Sequence, residues 1–583
     1  MVKTMKIAML AITVLPAALW GATITFPGSG GDLADNGASG WNGNMPGESD
    51  GAKLDKAGVY TLSANKTFKS LNTAASGIIL RFGPNKLTTS GNVLGTAATV
   101  TCDGGNFDLS GSGNFSLAHV TGSDISAAVT NGCVVTNAST FYATRGASSS
   151  RTVVAGGSCI YAAICNISDS SGTGNSLDVL DGAQVHIDGQ VKWDSGTLGM
   201  HGGSRLLVSG AGTLFHQKGG TSASPSYMTV GNRFTDDSFI VTDGASAISD
   251  FGGVTLGQPR SSLIVANGAA ASFPLVYFIG SETMVTVSNA TFTCSTTNSL
   301  AYKDGETTYN PAGYSNNVFL ATGPQTTVTL KGVDFFGTGH HNTIKVEDGA
   351  KLVPNGNLNQ FMSQTCNSRL IVSGQGTLAG KSNGAFLVAS QTSANSVSNV
   401  VSVSDGATFQ CSRMNLQGVA NELSISNATV AIMGGDSSNH AFTSGSRANG
   451  TTHTNNVVTL CGETPKLRIS TETTRCRFLG GSTLRICVPK DGYEKDYVPI
   501  DLACNFMLDS TSALVIDCDE WAAHTGGKLH LVKSKAFEDR VAGESTVARL
   551  NATSLPPGCS LVVSSGNVYL KCPRRDGMVV VFR

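Results

Sequence analysis

Charge is what this chain has least of. Only 14% of its 583 residues are Asp, Glu, Lys or Arg, and they balance to a net charge of -1, with an isoelectric point near 6.8. Nucleic acids and anionic membranes are held by clustered Lys and Arg, and no basic stripe is present, so neither is expected as a partner. Aromatic residues are also few, at 7%. Past residue 22 no apolar run reaches the 18 or more residues that a transmembrane helix needs, so the mature chain is expected to carry no membrane span. No C-x-x-C pair occurs among the 14 cysteines, which argues against thiolate metal sites. No Ser-His-Asp arrangement, nucleophile elbow or phosphate-binding loop stands at useful spacing. What is present instead is 70 Gly with abundant Ser, Thr and Asn, the profile of a turn-rich, all-β protein with few helices.

The amino terminus departs from this polar character. Lys3 and Lys6 precede an almost wholly apolar stretch, Ile7 to Leu19, and the small residues Gly21 and Ala22 follow. That order marks a secretory signal peptide, so residues 1–22 are expected to be a leader and the protein to be secreted or held at the cell surface. An oxidising destination suits the cysteine count. Cys461, Cys476, Cys487, Cys504 and Cys518 follow one another at intervals of 15, 11, 17 and 14 residues, so that some could face each other across neighbouring coils. Cys294 and Cys411 each end the same phrase, Thr291-Phe292-Thr293-Cys294 and Thr408-Phe409-Gln410-Cys411. Disulfides and buried thiols acting as small apolar residues both fit these positions.

One phrase occurs twice. Ser204 to Leu214 reads SRLLVSGAGTL and Ser368 to Leu378 reads SRLIVSGQGTL. Such a match inside one chain points to a repeated unit that buries its apolar face only by stacking on a neighbour. A second theme surrounds it. Leu177-Asp178-Val179-Leu180 runs into Asp181-Gly182-Ala183, Phe239-Ile240-Val241-Thr242 into Asp243-Gly244-Ala245, and Leu263-Ile264-Val265-Ala266 into Asn267-Gly268-Ala269; the theme returns at Asp348 and Asp405. Asp and Asn tolerate the left-handed backbone region, and Gly has no Cβ to clash there. The spacing of successive turns suits a coil of a parallel β-helix with its loops better than a meander. A larger period is superimposed: Asp181, Ser209 and Asp243 recur in the same order, and at nearly the same intervals, as Asp348, Ser373 and Asp405. Several coils were therefore copied as one block. Some twenty of them, rising roughly 4.8 Å each, would make a rod on the order of 100 Å long.

The Asp-Gly-Ala and Ser-Gly-x-Gly-Thr-Leu phrases resemble those of right-handed β-helix proteins of the pectin-lyase-like superfamily, particularly repetitive autotransporter-type bacterial surface proteins. Leu555-Pro556-Pro557-Gly558-Cys559-Ser560-Leu561, followed by Gly566-Asn567-Val568-Tyr569-Leu570, resembles the closing unit of such passenger regions. The likeness spans about residues 170–572. The expected fold is a right-handed parallel β-helix solenoid: an N-terminal cap around Trp41 over residues 23–65, coils over 66–483, and a C-terminal β capping region over 484–583. No translocating barrel follows before Arg583, so a stand-alone exported solenoid is expected.

For chemistry, the resemblance brings in polysaccharide lyases and glycoside hydrolases, which use Asp pairs with Ca²⁺ and a Lys or Arg base, or two carboxylates at a defined separation. Asp236-Asp237 beside Arg233 is the best such pair. Neighbours on a strand point to opposite faces, so the pair could share a site only from a loop, and a solvated turn is the simpler reading. His340-His341 follows Gly337-Thr338-Gly339 in the manner of a catalytic histidine loop, without that family's other hydrolase motifs. The recurrent Asp181, Asp243, Asp348 and Asp405 lack the six or so oxygens that Ca²⁺ takes, so neither metal nor cofactor is expected. Asn-x-Ser/Thr sequons at Asn137, Asn289, Asn427 and Asn551 fall at turn positions, where backbone geometry accounts for them without glycan. The expected function is an exported, non-enzymatic surface or matrix protein mediating adhesion, with surface glycans or other cell-envelope proteins as partners. A polysaccharide lyase or glycoside hydrolase is the alternative.

Overall fold

Alternation of apolar and polar residues dictates short strands, and each strand finds its partner one coil further along the chain. The computed structural model describes residues 22–96, 99–110, 113–168, 173–194, 202–221, 224–231, 235–296, 300–301, 315–331, 340–354, 366–388, 396–434, 440–445, 454–472, 474–509, 511–539 and 555–574. Three consecutive coils display the plan. Arg205–Ser209, Leu214–Gln217 and Met228–Val230 are followed by Ser238–Thr242, Ser246–Ser249 and Val254–Leu256, then by Ser262–Ala266, Ala270–Phe273 and Val276–Phe278. Every pairing between these coils is parallel. Leu206, Phe239 and Leu263 are in register on the first sheet, Phe215, Ala247 and Ala271 on the second, and Met228, Val254 and Val276 on the third. The first sheet runs unbroken from Gly31–Asp32 to Ala513–Asp517, and among the described residues no pairing joins its two ends. The molecule is an all-β, three-sided parallel solenoid.

The interior is continuous. Inward positions such as Leu206, Val208, Phe239 and Val241 are fully buried, while their strand neighbours are partly exposed. Phe215, Phe239, Phe273, Phe292 and Phe319 succeed one another through the core with ring centroids 5.9 to 6.2 Å apart. Each such side chain contributes about 1.5–3 kcal/mol on burial, but only once the adjoining coil is in place to cover it. Stability is therefore shared between neighbouring coils.

The corners explain the repeated phrases. Between first and second sheets, Asp181 and Gly182 take φ of 53° and 75°, and Ala183 N–H donates to Leu180 O at 3.0 Å; two left-handed residues closed by that bond form a type I′ turn. The Ser-Gly-x-Gly-Thr-Leu phrase makes a corner one residue longer. Its buried threonine is the reason for the pattern: the Thr213 hydroxyl donates to Ser209 O at 2.9 Å and accepts Gly182 N–H from the preceding coil at 2.9 Å. Thr377 repeats both bonds with Ser373 O at 2.7 Å and Gly349 N at 2.8 Å. One hydroxyl thus staples two corners.

At the entry to the first sheet a buried polar ladder does similar work. Asn317, Asn342, Ser368, Asn399, Asn421 and Asn456 occupy one place in successive coils and are at most 3% exposed. Asn399 Oδ1 accepts Ser368 N–H at 3.0 Å, Asn421 Oδ1 accepts Asn399 N–H at 2.8 Å, and Asn456 Oδ1 accepts Asn421 N–H at 2.9 Å. Backbone donors that turn away from the sheets are satisfied this way without water.

Parallel pairing extends beyond residues 66–483. Thr23–Thr25, Gly51–Leu54 and Ser70–Thr73 already pair in parallel, around Trp41, which is buried edge-on to Phe26 and Phe68. Beyond residue 483, Thr483–Cys487 pairs in parallel with Ala513–Asp517. The short helix Asp519–His524 follows, and Gly527–Lys533 and Ser560–Ser564 then pair antiparallel with Asn567–Cys572. Cys461 is bonded to Cys487 and Cys559 to Cys572. Cys294 and Cys411 are free, buried thiols, and burial pushes both far above the usual thiol range. The expected leader, residues 1–22, lies outside the described residues apart from Ala22. So do Arg233, Gly337-Thr338-Gly339 and Asn551. No helix among the described residues is long and apolar enough to cross a membrane.

Candidate functional site

Immediately before each ladder residue the chain takes one left-handed residue. Asp236, Arg260, Glu282, Asn316, His341, Asn367, Ser398 and Ala420 all have φ between 55° and 66°. Their N–H groups reach the next coil's carbonyl, as in Arg260 to Ser281 O at 3.2 Å and His341 to Cys366 O at 3.1 Å. This kink sets the column of side chains apart from the first outward residue of each strand and leaves a furrow between them.

The furrow opens into a groove of about 390 Å³ where His341, Asn367 and Ser398 stand across from Thr343, Arg369 and Val400. Strand register places Arg369 between Thr343 and Val400. Arg369 is exposed and makes no ion pair among the described residues. The nearest candidate acid on the adjoining strand, Glu347, is engaged by Lys345 at 2.6 Å. One guanidinium, one imidazole, one amide and two hydroxyls surround the space, with no carboxylate among the described lining residues. That set is chemically suited to an anion, which a guanidinium can hold through charge-assisted hydrogen bonds.

Arg369 has a twin whose surroundings differ. Arg205 holds the same place in the other copy of the phrase, and there its guanidinium meets Asp178 at 3.0 and 3.1 Å. Arg151 meets the same carboxylate at 2.6 Å, and Asp178 is wholly buried beneath the two. In the second copy of the block Lys345 stands where Asp178 stands, each at the middle of the strand that leads into its Asp-Gly turn. The acid that neutralises the first arginine is therefore replaced by a cation beside the second. Comparing the two copies side by side was the signal in the sequence that could have singled out Arg369.

The acidic pair is separated by the fold. Asp236 is an exposed left-handed turn residue gripped by Arg260, at 2.6 Å from Nε and 2.9 Å from the terminal nitrogen. Hydrogen bonds from Arg260 and Thr235 hold its carboxyl below the usual carboxylate range. Asp237 is 1% exposed and serves in the ladder, accepting Ser204 N–H at 2.7 Å. The two carboxylates are committed to opposite sides of the backbone. The backbone of His340 bridges to Cys366 of the next coil, His341 lines the groove, and the two rings lie with centroids 6.4 Å apart. Asp243 accepts from Ser209 and Asn267, and Asp348 from Thr322; these turn carboxylates tie one coil to the next. Among the described residues no cluster of His, Cys, Asp and Glu could hold a metal ion.

On the second sheet, Tyr161 stacks on His186 with ring centroids 4.8 Å apart, and His186 meets His216 edge-on at 5.7 Å. Burial and the neighbouring His216 lower the pKa of His186, and Asp250 meets His216 at 3.1 Å. Register brings the three rings together, since Tyr161, His186 and His216 face one another across successive parallel strands. No family model, curated protein or solved structure matches the chain.

Proposed function

We propose that this chain is an exported, non-enzymatic surface or matrix protein whose long sheet faces contact other surfaces. Its frame is a right-handed parallel β-helix, closed at one end by the segment around Trp41 and at the other by the antiparallel hairpin of residues 560–572. The separation of Asp236 from Asp237 carries the non-enzymatic reading. Bond cleavage in saccharides takes carboxylates that converge on one bond, whereas here one is tied to Arg260 at the surface and the other is consumed by the ladder. The open groove around His341 and Arg369, several coils further along, offers a cation and polar groups suited to binding.

The test uses the mature chain with a panel of acidic and neutral polysaccharides, following unsaturated uronate absorbance and new reducing ends. In parallel, binding to immobilised glycans and to isolated cell envelopes is measured. Retained surface binding with no product is the expected result. Product formation that disappears in Asp236→Asn would overturn the proposal in favour of a lyase or hydrolase.

A further inference from the structure

The first sheet's outward face is uneven in a way that points to a partner. Four successive strands, Ser238–Thr242, Ser262–Ala266, Met284–Ser288 and Val318–Thr322, carry no charged residue. Ile240, Ile264, Met284, Val318 and Leu320 lie on their outward side and are partly or well exposed, Met284 by 39%. Leu207 extends this strip by one coil, in register with Ile240. Charge returns at both ends with the same sign. At one end Arg151 and Arg205 share the single carboxylate of Asp178. At the other, Lys345 is matched by Glu347, but Arg369 stands unmatched among the described residues, inside the groove.

We infer that this face docks an extended protein segment with an apolar centre and acidic ends, one carboxylate seating in the groove against Arg369. The inference rests on reading the sheet faces as contact surfaces and names the partner's chemistry. Six coil-to-coil steps separate Arg205 from Arg369, about 29 Å at roughly 4.8 Å per step, the length of about nine extended residues. The face buries on the order of 500 Å² per partner, within the range of weak, reversible complexes. A second copy of this chain is disfavoured by charge: parallel or antiparallel, it sets a cationic end against a cationic end. A saccharide is disfavoured at the strip, because aliphatic side chains would desolvate its hydroxyls without replacing their hydrogen bonds.

The probe is a synthetic peptide of about 12 residues, long enough to span the strip at the rise of an extended chain, with a Val/Ile/Thr centre and paired Glu at each end. It is compared with a Lys-ended version by fluorescence anisotropy on the full mature chain. The Glu-ended peptide should bind at least about tenfold more tightly at low salt, with the difference shrinking as salt rises. Arg369→Glu should remove most of that preference, and Ile264→Ser should weaken binding about three- to tenfold while leaving the thermal unfolding profile unchanged, since both side chains face outward. Equal affinity for the two peptides, or indifference to both substitutions, overturns the inference. So does a concentration-dependent dimer in sedimentation that Ile264→Lys abolishes, or an oligouronate that displaces the peptide and binds independently of Ile264. These outcomes leave the non-enzymatic proposal standing, whereas polysaccharide turnover defeats that proposal without touching the peptide result.

Discussion

Asn399 provides the sharpest test of how the coils are held together. It is 0% exposed, its Oδ1 accepts Ser368 N–H at 3.0 Å, and its Nδ2 donates to Ser396 Oγ at 2.9 Å and to Asn421 Oδ1 at 3.1 Å. Asn399→Ala removes the acceptor of a buried N–H, which costs about 1–3 kcal/mol, and leaves a small cavity. The combined loss is expected at about 2–4 kcal/mol. Because coils interact mainly with their neighbours, the loss should be local. Hydrogen exchange read by mass spectrometry should show amides of residues 368–373 and 399–404 exchanging roughly 30- to 700-fold faster, with little change near residues 206 or 486. Asn399→Leu separates the two contributions, since it fills much of the volume but supplies no acceptor. If Leu restores stability to within about 0.5 kcal/mol, packing and not hydrogen bonding governs the corner, and the ladder argument is wrong.

Three further outcomes follow from named residues. Gly349 sits at φ 83°, where an added Cβ would lie 3.2 Å from Pro324 Cα, so Gly349→Val is expected to cost about 2–4 kcal/mol in chemical denaturation, against less than about 1 kcal/mol for Asp236→Ala; equal mild effects would refute the turn assignment. Burial raises the Asp509 carboxyl, but hydrogen bonds from Gly480, Thr511 and Ser512 outweigh it and leave the pKa below its usual value; a depressed pKa stabilises above the usual carboxylate range and is lost as pH falls through it, so acid melting curves should flatten in Asp509→Asn. The Cys461–Cys487 bond joins cysteines at a sequence separation of 26, and Cys461→Ser should lower stability by about 2–4 kcal/mol under oxidising conditions while matching the parent when both are reduced, a result checked by paired thermal melts with and without reductant.

Much of the coil was legible because its determinants are local. Asp181-Gly182, Asp243-Gly244 and Asp348-Gly349 can make a type I′ turn from their own backbone preferences, and all three do so at the same corner. The period-two alternation in Phe239 to Thr242 likewise announces its inward side. The third sheet was harder to see, because strands such as Met228–Val230 and Val254–Leu256 are too short to show a period. The ladder was hidden for another reason: Asn317, Asn342 and Asn399 look like any loop asparagine until stacking buries them. Asp237 joins them by position, which no local pattern distinguishes from its exposed neighbour Asp236.

The arginines draw the line most clearly. From its own residues the chain determined an all-β repeat, the copying of a block of coils and the turns between its strands, since these depend on side-chain size, alternation and the backbone freedom of adjacent residues. Tertiary structure decided which of two arginines in nearly identical phrases meets an acid among the described residues. Arg205 lies over Asp178, and Arg369 lies beside Lys345 in an open groove. The difference arises because a side chain's charge environment on a stacked sheet is set by the strand paired with it, a whole coil away along the chain, and not by the residues on either side.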